Sequence, residues 1–257
     1  MHPGNRTGQV RAELYALTHR GNAGDIAFYQ RVCQGAKSVL ELGSGYGRML
    51  CALARAQRLV VGLEFDTEMS SLARQNLRKV PAPKRRSVRL VQGDMRQFTL
   101  DAPVERVLLP YNALCCMLTK RDALSCFRAA RRALVVDGGL ALDVWNAEPF
   151  HRSASVRAWA DEREPIVTLS HAGQTWDVFE RSRVRRARHR LDVDYVYVPR
   201  KRVAGYQISI AQRYYLADEI EGLLKRAGFA LQARFGDFSG RRFTARSPQL
   251  IVVARAI

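Results

Sequence analysis

One segment limits the possible folds of this chain more than any other: Glu41-Leu-Gly43-Ser-Gly45-Tyr-Gly47. It follows an apolar, β-type run, Ser38 to Leu42, and opens a helical pattern near Tyr46 to Ala56. A glycine turn leading from a strand into a helix is the joint of open α/β sheets, whose ligands bind at the carboxyl ends of the strands. Glycine lets the backbone approach a ligand with no Cβ in the way. The dinucleotide fingerprint G-x-G-x-x-G, read from Gly43, requires glycine at position 48. This chain has Arg48 there and glycine at 47, which argues against a nicotinamide dinucleotide. The carboxylate of Glu41 at the loop entrance would also repel a pyrophosphate, whereas it suits a cationic ligand.

Around that joint, strand-like and helix-like segments alternate. Leu59 to Leu63, Ser87 to Gln92, Val104 to Leu109 and Gly139 to Val144 read as strands, the last after an Asp137-Gly138-Gly139 turn. Helical patterns lie near Thr67 to Lys79 and from the capping box Thr119-Lys-Arg-Asp122 to about Leu134. This rhythm predicts a mostly parallel sheet flanked by helices. Two helices precede it, Val10 to His19 and Asp25 to Gln34, the second with Asp25 as N-cap and Gly35 past its end. After Trp145 the pattern changes. Pro165 to Ser170, Thr175 to Arg185, Arg190 to Val198 and Gln207 to Tyr215 are strand-like with no helices intervening, which predicts an inserted antiparallel sheet. A helix from Asp218 to Ala227, stopped by Gly228, and strands Phe229 to Phe235 and Gln249 to Ala254 complete the main sheet. The expected division is residues 1–36 as N-terminal helices, 37–145 as the core, 146–215 as the insertion and 216–257 as completion of the core.

Further motifs stand in order at the strand ends. Glu64-Phe65-Asp66 ends the second strand, Gln92-Gly93-Asp94-Met95 follows the third, and Leu109-Pro110-Tyr111-Asn112 ends the fourth. Val136-Asp-Gly-Gly-Leu-Ala-Leu-Asp143 and Leu223-Leu-Lys-Arg-Ala-Gly228-Phe229 come later. With the glycine loop, this series resembles the class I S-adenosylmethionine (SAM)-dependent methyltransferases over roughly Lys37 to Val144 and again after Tyr214. Asp137 stands where the family usually has proline.

The resemblance implies a seven-stranded Rossmann-like core with SAM as cofactor and S-adenosylhomocysteine (SAH) as product. It places Glu41, Gly43 and Gly45 at the cofactor loop, Glu64 on the ribose hydroxyls and Phe65 on the adenine. A carboxylate accepts from both hydroxyls of a cis diol, which explains the residue type at position 64. Asp94 would accept from the adenine amine, Met95 would cover the ring, and Pro110, Tyr111 and Asn112 would line the methyl-transfer site. Related small-molecule enzymes place an N-terminal helix over the cofactor, so Tyr15 would touch the methionine carboxylate and Arg48 would pair with it. Each has a plainer alternative: core packing for Tyr15, a solvated first-turn arginine for Arg48, ordinary loop packing for Tyr111 and Asn112. A general base is needed only if the nucleophile arrives protonated, and His151, Glu148, Tyr111 and Tyr214 are the candidates.

Composition narrows the partners. With 47% hydrophobic residues in 257, the chain buries a full core, which excludes disordered and disulfide-scaffold classes. Five cysteines with no Cys-x-x-Cys pair, and no His cluster at ligand spacing, predict a reduced protein without a metal. Leu108 to Leu118, the longest nearly uncharged stretch, is too short to cross a bilayer, and the polar start has no signal-peptide core, so a cytoplasmic protein is expected.

The net charge of +18 raises the prospect of an RNA or DNA partner, yet only six of the 42 basic residues are lysines and the arginines are spread along the chain. The densest run, Arg181 to Arg190, tests itself by pairing. A turn around Ala187-Arg188 sets Arg183 against Asp192, Arg181 against Asp194, Val184 against Leu191 and Val178 against Tyr197. The apolar set then shares one face, as in a solvated sheet.

The expectation is therefore a SAM-dependent methyltransferase acting on a nitrogen or oxygen of a small molecule, such as an amine or amino sugar, with the antiparallel insertion as a lid over the active site. The alternatives are an RNA methyltransferase using the basic surface, or a non-catalytic SAM- or nucleic-acid-binding module. Both monomer and homodimer remain open.

Overall fold

The computed structural model describes residues 3–153, 159–161, 164–201 and 203–257. They fall into two units, a larger one of residues 21–150 and 215–257 and a smaller one drawn from residues 1–20 and 151–214.

In the larger unit seven strands pair in the order β11-β12-β5-β4-β1-β2-β3. The parallel part is β1 (Ser38–Leu42), β2 (Leu59–Glu64), β3 (Val88–Gln92), β4 (Val104–Leu109) and β5 (Leu134–Trp145). β12 (Gln249–Ala256) joins β5 antiparallel, and β11 (Phe229–Phe235) joins β12. The central strands are largely apolar because both faces are covered, with Glu41 of β1 and Asp143 of β5 as buried exceptions. Leu40, Leu42, Val107, Leu109, Leu140 and Leu142 point to one side, where α6 (Lys120–Ala133) and α8 (Ala217–Arg226) bury Phe127, Ile220 and Leu224 against them. The alternate residues Val39, Val60, Leu108, Ala141 and Ile251 face the other way. They pack on Phe28 and Tyr29 of α2 (Asp25–Val32) and on Met49, Leu50 and Leu53 of α3 (Arg48–Leu53). The helix α4 (Thr67–Leu77) is capped by Asp66, whose carboxylate accepts from Met69 N at 2.8 Å.

Three local expectations change. Asp137-Gly138-Gly139 is not a turn before a strand but an irregularity inside β5. Pairing with β4 jumps from Val104–Leu134 to Arg106–Gly139, so the extra residues are absorbed without leaving the sheet. The N-cap of α2 is Gly24, not Asp25, whose buried carboxylate has other partners. α8 begins one residue before the expected Asp218, with Leu216 as its N-cap, and Glu219 accepts from the Leu216 backbone N–H at 3.2 Å.

The smaller unit holds α1 (Pro3–Thr18) and a five-stranded antiparallel sheet. Its strands are β6 (Trp159–Asp161), β7 (Val167–His171), β8 (Gln174–Arg185), β9 (Arg190–Pro199) and β10 (Tyr206–Arg213). Leu14 of α1 is buried with Leu169, Trp176, Val178 and Tyr197, so the helix covers one face of the sheet. The β8–β9 register is the one read from the sequence: Arg183–Asp192, Arg181–Asp194, Val184–Leu191 and Val178–Tyr197 are all paired. Arginines of this sheet meet carboxylates, Arg181 with Asp161, Arg190 with Asp192 and Arg200 with Asp177. Arg202 lies outside the described residues. The two N-terminal helices belong to different units, α1 to the smaller and α2 to the larger.

Candidate active site

The carboxyl ends of β1, β2 and β4 bring most of the expected cofactor residues together in the larger unit. Gly43 has φ +73°, and a Cβ there would stand 3.3 Å from Met95 Cε and 3.4 Å from Ala113 Cβ. A side chain at 43 would therefore be strained and would fill the space beside Met95. Gly45, at φ +52°, faces open space, and its N–H donates to Glu64 Oε2 at 2.7 Å. Glu64 Oε1 accepts from Asp66 N at 2.9 Å, so two backbone donors orient this carboxylate at the end of β2. Burial nonetheless pushes the Glu64 carboxyl upward. Phe65, next in the chain, is 73% exposed, an apolar ring left without cover.

Glu41 is 3% exposed, and its Oε2 has no hydrogen-bond partner among the described residues. Burial pushes its carboxyl well above the usual range, Arg48 counters, and Glu64 adds to the rise. A buried carboxylate without a donor is costly. A cationic ligand brought to it removes that cost. The open face at Gly45, the orphan oxygen of Glu41 and the exposed Phe65 ring fit SAM, which carries an ammonium, a sulfonium and a purine.

Two expected ligand contacts are occupied by protein. Arg48 does not present its fork to solvent; Nη1 and Nη2 hold Asp25 Oδ1 and Oδ2 at 2.9 and 2.5 Å. Asp25 is buried and needs a countercharge, which decides the pairing. Asp94 is likewise committed, accepting from Arg96 N at 2.8 Å and from its Nε and Nη2 at 2.9 and 2.5 Å. Those hydrogen bonds hold the Asp94 carboxyl below its usual range.

Beyond β4, Pro110 is buried and Tyr111 and Asn112 are both left-handed, at φ 53° and 62°. Such residues persist only where the surroundings fix them. Here Asp143 of β5 does so: its Oδ1 accepts from Tyr111 N at 2.9 Å and from the Tyr29 hydroxyl at 2.6 Å, and its carbonyl accepts from Asn112 N at 3.1 Å. Asn112 Oδ1 in turn accepts from Trp145 N at 2.7 Å, so it braces the turn. Burial raises the Asp143 carboxyl to about 6. Glu148 accepts from Ala217 N at 3.4 Å, at the start of α8.

Tyr15, His151 and Tyr214 lie in the smaller unit. Tyr15 stacks on His19 at 3.9 Å, and its carbonyl accepts from His19 Nδ1 at 3.0 Å. His151 Nδ1 lies 3.0 Å from the Tyr214 hydroxyl, and Tyr214 stacks on His189 at 4.9 Å. Sequence reasoning named His151 and Tyr214 separately and missed His189 and His19, which no spacing rule links to them. Asp143 stood in the sequence reading only as the end of its segment. A carboxylate inside the apolar run Leu140-Ala-Leu-Asp143-Val was the available signal, since a buried charge requires partners.

Comparison with known proteins agrees with this geometry. Residues 39–138 match a family described as methyltransferase domain. The cypemycin N-terminal methyltransferase of a Streptomyces species is 26% identical over 220 residues, covering 84% of this chain and 82% of the relative. The dTDP-3-amino-3,6-dideoxy-alpha-D-glucopyranose N,N-dimethyltransferase of Streptomyces fradiae is 23% identical over 244 residues, 90% of this chain and 88% of its own. Among solved structures, the CcbJ methyltransferase of Streptomyces caelestis superposes with a TM-score of 0.76 at 25% identity, covering 91% of this chain and 89% of that one. Other structures of this fold hold SAM or SAH. Residues 39–138 are thus a methyltransferase domain, and the chain is a SAM-dependent methyltransferase of the class I, Rossmann-like kind.

Proposed function

We propose that the enzyme methylates a nitrogen or oxygen of a small molecule, with an amine or amino sugar as the leading class of acceptor. The observation that carries this reading is the extent of the likeness. The match to the amino-sugar N,N-dimethyltransferase spans 90% of the chain, well beyond the methyltransferase domain at residues 39–138. Acceptor choice then rests on the segments outside that domain, including the smaller unit. The basic composition favours a nucleic acid instead, but the arginines of the densest run include members already paired with carboxylates.

SAM supplies an electrophilic methyl group when bound. The chain's own part is to hold the cofactor with Glu41, Gly43, Gly45, Glu64, Phe65 and Met95, to align the acceptor and to exclude water. Alignment of that kind supplies up to roughly 7–11 kcal/mol of a barrier. Tyr111 lines the acceptor position and Asn112 braces it. The test is transfer of labelled methyl from SAM to a panel of amines, nucleotide-linked amino sugars and bulk RNA. Label on the amines or amino sugars supports the reading, and label on RNA alone refutes it.

A further inference from the structure

Three segments of the larger unit meet at Arg48. The residue follows the glycine loop directly and begins α3. Its guanidinium holds both oxygens of Asp25, and the two side chains are 17% and 3% exposed. Gly21 lies flat on the guanidinium: any Cβ there would overlap its central carbon, and φ is +91°. The Tyr111 ring centre stands 5.9 Å from that same carbon. One cation thus ties the 21–25 segment, the glycine loop and the turn after β4.

Two buried polar atoms in these segments have no partner among the described residues, Asn22 Nδ2 and Glu41 Oε2. One is a donor and the other an acceptor. Leaving such atoms buried and unmatched is unfavourable. Together they match the carboxylate and the ammonium of an amino acid. Their places depend on Arg48: the Asn22 backbone N–H donates to Asp25 Oδ2 at 3.0 Å, and Arg48 is the cation that favours the charged form of Glu41.

We propose that the Arg48–Asp25 pair is a positioning device for the amino-acid half of the cofactor. Arg48 does not bind the methionine carboxylate itself. It fixes Asp25, and through it Asn22, so that Asn22 donates to the carboxylate while Glu41 accepts from the ammonium. The adenosine half is held independently by Glu64, Phe65 and Met95. The inference rests on the glycine loop being the SAM site.

Calorimetric titration of SAH and of 5′-methylthioadenosine, which lacks the amino-acid half, separates the two halves. The proteins are wild type, Asp25→Ala, Arg48→Met and Asn22→Leu; the last keeps the ion pair and about the residue's size and removes the donor without adding a charge. Each variant should lose at least about tenfold in SAH affinity, by loss of charged hydrogen bonds and of preorganisation. Its affinity for methylthioadenosine should stay within about twofold of wild type, as expected when that half keeps all its contacts. An equal fall for both ligands would overturn the inference, because the pair would then support the whole domain. Unchanged SAH affinity in Asn22→Leu would also overturn it. So would tighter SAH binding in Asp25→Ala, because a freed Arg48 would then be the carboxylate ligand. Wild type binding neither ligand would instead refute the site itself, a pattern distinct from all of these.

Discussion

Asp143 gives the protein a stability profile that runs against the usual carboxylate pattern. Its side chain is fully buried, Oδ2 has no partner among the described residues, and burial raises the carboxyl from 3.8 to about 6. Between those values the folded chain holds the proton and the unfolded chain has released it. More protons are then bound in the folded state, so stability falls as pH rises through this window and the loss is complete above about 6. At about 1.4 kcal/mol per pH unit, a shift of about two units amounts to about 3 kcal/mol. Asp143→Asn keeps an oxygen for Tyr29 and Tyr111 but carries no titrating proton. The stability of wild type minus that of the variant should therefore drop by about 2 kcal/mol between pH 4 and pH 6.5, the part of the total that falls in that range, or about 4–8 °C in Tm difference. Urea denaturation of both proteins across that range measures it, and other titrating groups cancel in the difference. Tyr29→Phe removes a donor that favours the ionised form and should extend the slope above pH 6. A difference that stays flat within about 1 kcal/mol would show that Asp143 is not desolvated as placed, and would refute the reasoning.

The cofactor contacts make separate predictions. Glu64→Ala should weaken SAH binding about 10- to 100-fold, the loss expected for a charged hydrogen bond to each ribose hydroxyl, measured by calorimetry. Phe65→Ala should weaken it by about 3- to 10-fold with almost no change in Tm, since the exposed ring is proposed to stack on the cofactor and adds little to the core. Arg181→Ala should change stability by less than about 1 kcal/mol, because its pair with Asp161 is exposed. Bulk tRNA should bind weakly and lose that affinity as salt rises from 50 to 200 mM. Tight binding that survives this rise would favour the RNA reading.

The main sheet was legible in the sequence because its strands carry apolar runs buried on both faces, such as Val107 to Leu109, and are separated by helical periods, as in Thr67 to Leu77. The β8–β9 register was legible because a single register puts Val178, Val184, Leu191 and Tyr197 on one side. The committed partners were not. Asp25 and Arg48 lie 23 residues apart in different helices, Tyr29 and Asp143 lie 114 apart, and no periodicity links them. For that reason Arg48 read as a ligand residue when it is part of an internal pair. The interruption of β5 misled for a local reason. Asp137-Gly138-Gly139 has turn chemistry, but Gly138 is packed against Leu134, so the sheet absorbs it.

The central claim is that the loop from Glu41 to Gly47 holds SAM. Titration of SAH into wild type and Gly43→Arg, with Tm recorded for both, tests it most directly. The account predicts micromolar binding by wild type and none by a folded Gly43→Arg, whose side chain would fill the space beside Met95. Equal affinity in the two proteins, or no binding by wild type, would contradict it.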